Sequence, residues 1–283
     1  METRFTSLVG CRLPFQLAPL GGVGTTELAA AISAAGGLGM VPYGVAPPDA
    51  MLGPAGVGFL MPYLPGVQAV AQAADGVRVL DFFEGDPDPR LVEVCHRAGA
   101  LASWQVGSVE EAREAEVAGC DLVVVQGVEA GGHVRGRTPL DQLLAQTLRV
   151  VTVPVVAAGG IATAARVSAL LARGADAVRV GTRFLACPEC NTHPAYVQAL
   201  LAAGAQETVL TQAFDDDGRW PATVRVLAAS LAAARSAGNR STMPPTPGAK
   251  QPLAMPCYAG VSVASLTEVQ PAADILAELT APA

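Results

Sequence analysis

Lysine is almost missing from this 283-residue chain: Lys250 is the only one, and the other cations are arginines. Basic residues number 18 against 25 acidic ones, for a net charge of −7. Without clustered positive charge there is nothing to hold a phosphate backbone, which argues against nucleic acid as a partner. The arginine bias itself suggests a GC-rich genome. Long apolar runs are also missing. No stretch reaches the ~18 uninterrupted residues of a membrane span. Met1-Glu2-Thr3-Arg4 is not followed by an apolar leader. A soluble cytoplasmic protein with no membrane partner is expected. Histidine occurs three times, and the six cysteines are scattered through a long chain without a secretory signal, so free thiols are expected.

What is present is hydrophobic residue, 51% of the chain against 15% charged, enough for a sizeable core. It falls in short apolar runs at 15–18, 38–41, 57–62, 77–82, 101–106, 122–126, 153–157 and 177–181. Helical patterns at 26–35, 67–74, 89–98, 109–118, 139–149 and 164–173 separate them. Near-continuous apolar strands are the mark of a parallel sheet covered on both faces. Eight β/α units predict an α/β fold, a (β/α)8 TIM barrel over residues 1–186. The Pro/Gly-rich stretch 46–56 holds at most one helical turn. Thr25, Ser108 and Asp88 are placed to cap helix starts, and Gly36, Gly99, Gly119 and Gly174 to cap helix ends. A C-terminal helical and loop extension, 187–283, is expected to pack on the barrel, with helices at 194–203, 221–237 and 271–279 and a loop at 238–256.

Three strand ends carry candidate chemistry. The sixth strand empties into Gln126-Gly127-Val128-Glu129-Ala130-Gly131-Gly132-His133. Polar groups at this rim of a barrel are where catalysis resides, and an imidazole can handle protons or anions near neutral pH. His133 is read as a catalytic base or anion stabiliser, against a structural histidine or a metal ligand; no partner sits at metal-ligand spacing. His96 and His193 are read as structural. The seventh strand ends in Ala157-Ala158-Gly159-Gly160-Ile161 and the eighth in Val180-Gly181-Thr182. Loops in those positions often hold a phosphate by backbone N–H groups. The first strand leads into Ala18-Pro19-Leu20-Gly21-Gly22, a backbone over which a flat ring can lie. Gln105 and Gln126 end strands five and six, and an amide offers the donor and acceptor that match a flavin pyrimidine edge. Glu129 is read as a ligand contact or, more simply, as the partner of an arginine such as Arg135. Glu84-Gly85-Asp86 and Asp215-Asp216-Asp217 read as solvated turns. Cys187-Pro188-Glu189-Cys190 lacks the second pair that a zinc site needs.

Taken together, Gln126 to His133, Pro154 to Ala162 and Gly174-Ala175-Asp176-Ala177-Val178-Arg179-Val180-Gly181-Thr182-Arg183-Phe184 resemble the nitronate monooxygenase family, once called 2-nitropropane dioxygenases. Pro14 to Leu20, His193 to Tyr196 and Tyr258-Ala259-Gly260 also look like family segments, so the resemblance covers nearly the whole chain. It implies an FMN-dependent barrel. Gly159, Gly160, Gly181 and Thr182 would then hold the FMN phosphate. Ala18, Pro19 and Leu20 would face the isoalloxazine, with Gln105 and Gln126 at its polar edge. Gly131, Gly132 and Ala158 complete the cofactor set, and His133 stands beside the flavin as the catalytic residue. The implied reaction oxidises an alkyl nitronate or nitroalkane with O2 to a carbonyl compound and nitrite. His133 would orient and charge-balance the nitro group, or remove the α-proton. A homodimer is left open.

Two departures stand out. The asparagine the family carries near the end of strand three is absent from Gly58-Phe59-Leu60-Met61-Pro62-Tyr63, and the 46–56 unit is short. Three rival readings remain. One is an FMN- and NAD(P)H-dependent enoyl-acyl-carrier-protein reductase. Another is an IMP-dehydrogenase-like barrel, which needs a cysteine where His133 stands. The last is a flavin-binding family member without this activity.

Overall fold

A computed structural model of the chain describes residues 2–204, 206–215 and 222–281. Among them the strands are β1 Phe15–Leu17, β2 Gly39–Pro42, β3 Ala55–Leu60, β4 Val79–Phe83, β5 Leu101–Val106, β6 Leu122–Gln126, β7 Gly132–His133, β8 Val155–Ala158, β9 Ala177–Val180, β10 Thr208–Thr211 and β11 Val224–Leu227. The helices are α1 Arg4–Val9, α2 Thr26–Ala35, α3 Val67–Ala73, α4 Pro89–Arg97, α5 Val109–Val117, α6 Leu140–Thr147, α7 Ala164–Ala172, α8 Pro194–Ala202, α9 Ala228–Ala237 and α10 Ala272–Leu279.

Eight strands form one parallel sheet in the order β1-β9-β8-β6-β5-β4-β3-β2. Leu38, just before β2, bridges Gln16 in β1. Its amide donates to the Phe15 carbonyl at 2.8 Å and its carbonyl accepts from the Leu17 amide at 3.0 Å. The sheet closes into the expected (β/α)8 barrel. Strand bounds fall within two residues of the expected ones. The caps act as expected too: Thr25 accepts from the Leu28 amide, Asp88 from Arg90 and Ser108 from Glu111. Between β2 and β3 only the 3₁₀ turn Ala50–Leu52 forms, so this unit is abbreviated.

Strand register decides which residues face the lumen, because neighbouring side chains alternate between faces. Gln16 pairs with Arg179, Arg179 with Ala158 and Ala158 with Gln126. On the far side, Gly58 pairs with Asp81 and Asp81 with Ser103. Arg179 contacts Gln105 and Asp81, on strands that are not its neighbours in the sheet, so this face is the lumen. The opposite parity carries a buried aromatic stack, Phe59–Phe82–Trp104, with ring centroids 5.4 and 4.9 Å apart, and the exposed Tyr43 just after β2 extends it at 4.9 Å from Phe59. Such pairs contribute roughly 0.5–1.5 kcal/mol each beyond area burial.

The expected helix at 221–237 is corrected. Pro221 lies outside the described residues, Val224–Leu227 is strand β11, and only Ala228–Ala237 is helical. Tertiary pairing overrides the local pattern: β11 lies antiparallel between β10 and β7 in a second, three-stranded sheet. The two-residue β7 sits inside the barrel sequence, so this sheet ties the segment after β9 to the loop after β6.

At the opposite end from the strand C-termini, Asp176 receives Arg4 through two contacts of 2.9 and 2.7 Å and the Val155 amide at 2.9 Å. Asp176 is buried. We expect Asp176→Ala to lower stability by roughly 2–3 kcal/mol, because it orphans a buried amide and removes charged hydrogen bonds. Urea unfolding checks this, with ligand content per folded molecule unchanged. Arg4→Ala should cost less, since its side chain is half exposed.

Candidate active site

The loops after β8 and β9 form an amide cradle. Gly159 and Gly160 both take left-handed backbone, with φ of 106° and 68°. A Cβ at Gly160 would lie 3.0 Å from Glu129 Cβ. Among the described residues, the amides of Gly159, Gly160, Gly181, Thr182 and Arg183 donate to no protein acceptor. A group of unspent N–H donors at two adjacent strand ends fits an anion such as a phosphate. Ala158, before the glycines, is buried in the lumen-facing register. The Thr182 hydroxyl accepts from the Gly260 amide at 3.0 Å, which leaves its own O–H to donate.

A C-terminal segment roofs this cradle. The Val261 amide donates to the Glu129 carbonyl at 3.0 Å. Gly131 permits the contact, because a Cβ there would stand 2.4 Å from the Gly260 nitrogen. At the end of β1, Ala18, Pro19 and Leu20 are partly exposed at the mouth. The Ala18 amide donates to Val180 at 2.9 Å. Pro19 seats on Gly58, where a Cβ would meet Pro19 Cγ at 2.4 Å. The missing asparagine therefore leaves a close backbone contact near that end of β3.

His133 stands on β7, opposite Val224 of β11, with Gly132 opposite Arg225. The pairing fixes the backbone that carries the imidazole. Gln126 fixes it a second time: its Nε2 donates to the His133 carbonyl at 2.8 Å and its Oε1 accepts from the Arg135 amide at 3.4 Å. Both ends of Gln126 are thus engaged with the loop that carries His133. The His133 ring lies 5.8 Å from that of Tyr258. Burial holds the imidazole down at about 4, so it is neutral at pH 7.

Gln105 is buried, and its Oε1 accepts from Arg179 at 2.6 Å. Arg179 also lies 2.7 Å from Asp81, which receives the Ser103 hydroxyl at 2.6 Å. This charged layer was not foreseen, though its signal is plain: an arginine inside the apolar run Ala177–Val180.

Several local readings change. Glu129 does not pair with Arg135. Its carboxylate accepts from the Leu140 amide at 3.0–3.1 Å, while Arg135 pairs with Glu111 and Asp86, each at 2.8 Å. Glu84 is not a solvated turn residue. It is the only described non-glycine residue with positive φ, at 62°, and burial pushes its carboxyl up to about 7 against the pull of Arg135. Asp215 is buried beside Arg240; Asp216 and Asp217 lie outside the described residues. His96 meets Asp121 at 2.8 Å, and His193 caps α8 through the Ala195 amide. Cys187 and Cys190 are buried free thiols that donate to the Phe184 and Val23 carbonyls. Burial pushes Cys190 up to about 11, far from a reactive thiolate. No helix among the described residues is long and apolar enough to cross a membrane.

The chain is similar to known proteins in sequence and in fold. The family model for nitronate monooxygenase matches residues 61–281. A nitronate monooxygenase from Pseudomonas aeruginosa is 34% identical, the alignment covering 75% of this chain and 77% of the relative. Among solved structures, FabK from Thermotoga maritima superposes with a TM-score of 0.82 at 28% identity, covering 99% of this chain and 95% of that one. Nitroalkane oxidase from Streptomyces ansochromogenes superposes with a TM-score of 0.78 at 30% identity, covering 98% and 96%. With its barrel and these relatives, the chain is a flavin-dependent oxidoreductase and belongs to the nitronate monooxygenase family.

Proposed function

We propose that this protein binds FMN at the barrel mouth and oxidises alkyl nitronates with O2 to a carbonyl compound and nitrite. The observation that carries the reading is the cradle of unspent amides on Gly159, Gly160, Gly181 and Thr182, on the same rim as His133. The cradle suits the phosphate end. Ala18, Pro19 and Leu20 offer backbone for the ring, and Gln105 offers an amide at its polar edge. Gly131 and Gly132 bring the His133 backbone in beneath the Ala259–Gly260 roof. The barrel, residues 1–186, supplies the cradle, and the remainder supplies the roof. Bound there, the flavin supplies the electron-transfer chemistry.

The chain's own residues supply geometry and proton handling. His133, neutral at pH 7, accepts the α-proton of a neutral nitroalkane or presents an N–H to a nitro oxygen. Charge balance by an imidazolium is the weaker option, because the site disfavours that form until an anion arrives. Gln126 holds the imidazole in register rather than meeting the ring edge.

The test begins with an absorption spectrum of the purified protein and identification of any flavin released on denaturation. Anaerobic mixing with ethyl or propyl-2-nitronate follows, then air and a nitrite assay. We expect flavin bleaching by nitronate and nitrite release in air. Rapid bleaching by NADH or NADPH instead would favour the enoyl-reductase reading. A colourless protein that takes up no FMN would support the non-catalytic one.

A further inference from the structure

We propose that Arg179 is a positioning residue for the flavin. It fixes the Gln105 amide at the rim and sets one positive charge in the lumen beneath the bound ring, which strengthens the flavin's hold on electrons. This rests on the FMN reading above.

The lumen of such a barrel is ordinarily filled by branched aliphatic side chains. Here one layer holds Gln16, Asp81, Ser103, Gln105 and Arg179, all buried. Packing alone does not call for this, since a buried guanidinium carries a desolvation cost of several kcal/mol. Part of the layer's polar capacity is unspent: among the described residues, both amide atoms of Gln16 and the Nε of Arg179 have no partner, while the two terminal nitrogens of Arg179 go to Gln105 and to the Asp81 carboxylate. Gln16 is the register neighbour of Arg179.

Direction supports the assignment. Arg179 sits two residues before the Gly181 of the cradle and reaches across the lumen to Gln105 on β5. A ring that runs from a phosphate at the ends of β8 and β9 toward Gln105 crosses the lumen over that same guanidinium. Because the Gln105 oxygen is committed to Arg179, the group left for the rim is its NH2 donor. A donor there favours a carbonyl edge that gains negative charge on reduction. Asp81 pairs with Ser103, two positions before Gln105 along β5, so the counter-charge lies deeper than the rim. The positive end of the pair faces the mouth.

The test uses FMN-loaded protein and two readouts besides turnover: the flavin midpoint potential, and the affinity for sulfite, read by bleaching. Sulfite adds to the flavin and leaves negative charge on the pyrimidine edge, so its affinity reports cationic surroundings. Asp81→Asn/Arg179→Gln, which like the wild-type ion pair carries no net charge in the lumen, should weaken sulfite binding ~10-fold or more relative to the wild type, about 1.4 kcal/mol, and lower the potential. Arg179→Lys should stay near the wild type. Asp81→Asn alone should shift both readouts the opposite way, a sign reversal that a packing role would not give. FMN-loaded Asp81→Asn/Arg179→Gln with wild-type sulfite affinity and potential overturns this proposal alone. Wild-type protein that holds no flavin overturns it together with the reading beneath it.

Discussion

Replacing His133 with asparagine should leave the flavin bound and lower turnover about 10²-fold or more, the scale of a positioned acid–base group. The backbone at 133 is held by pairing with Val224 and by the Gln126 amide, neither of which uses the imidazole. Asparagine therefore keeps the place and loses the proton chemistry. The pH profile carries a second signature. With the folded value near 4 and an ordinary value of 6.5, the imidazole stays neutral above pH ~5 and gives no inflection between pH 6 and 9. The sign for stability follows from the same shift. Between 4 and 6.5 the unfolded chain binds the extra proton, so this residue's contribution is full above 6.5 and is lost as pH falls toward 4. His133→Asn should remove that part of the acid dependence. Nitrite release at the wild-type rate by the variant would refute the assigned role.

The barrel was legible because each strand is a short apolar run and most of the helices between them carry their own stop and start signals. Ser108 before α5 and Asp88 before α4 are read from side-chain chemistry alone, and no distant contact is needed to place them. The small sheet was not legible for the opposite reason. A two-residue strand, β7, has no period to detect, and its partner β11 runs directly into the Ala-rich helix α9, so the pattern reads as one helix. The same division runs through the site. Gly159, Gly160 and Gly181 announce themselves, since glycine after a buried strand is a local signal. The surroundings of Gln105 and Gln126 are set by Arg179 and His133, which come from elsewhere in the chain. Only register brings them together. Glu129 illustrates the hazard of proximity in sequence: Arg135 is six residues away, yet the carboxylate turns to the Leu140 amide.

A bulky residue at Gly160 should abolish flavin binding. Two physical effects act in the same direction at this position. The φ of 68° is left-handed, a region that β-branched side chains avoid. The Cβ itself would press on Glu129 Cβ at 3.0 Å. Glu129 cannot give way freely, because its carboxylate holds the Leu140 amide and its carbonyl holds the Val261 amide of the roof. With Glu129 fixed, Gly160→Val must move the loop, and the Gly159 and Gly160 amides turn away from the anion position. We expect protein that purifies colourless and an FMN Kd raised at least ~10²-fold, the loss of several charge-directed amide contacts. Gly238 provides the control. It caps α9 at a nearly identical φ of 65°, yet a Cβ there meets nothing within 4 Å among the described residues. Gly238→Ala should therefore cost about 1–2 kcal/mol of stability through the backbone alone and leave flavin content intact. If Gly160→Val keeps its yellow cofactor while Gly238→Ala shows the expected loss of stability, strain at a left-handed position is real but the phosphate does not rest on these amides.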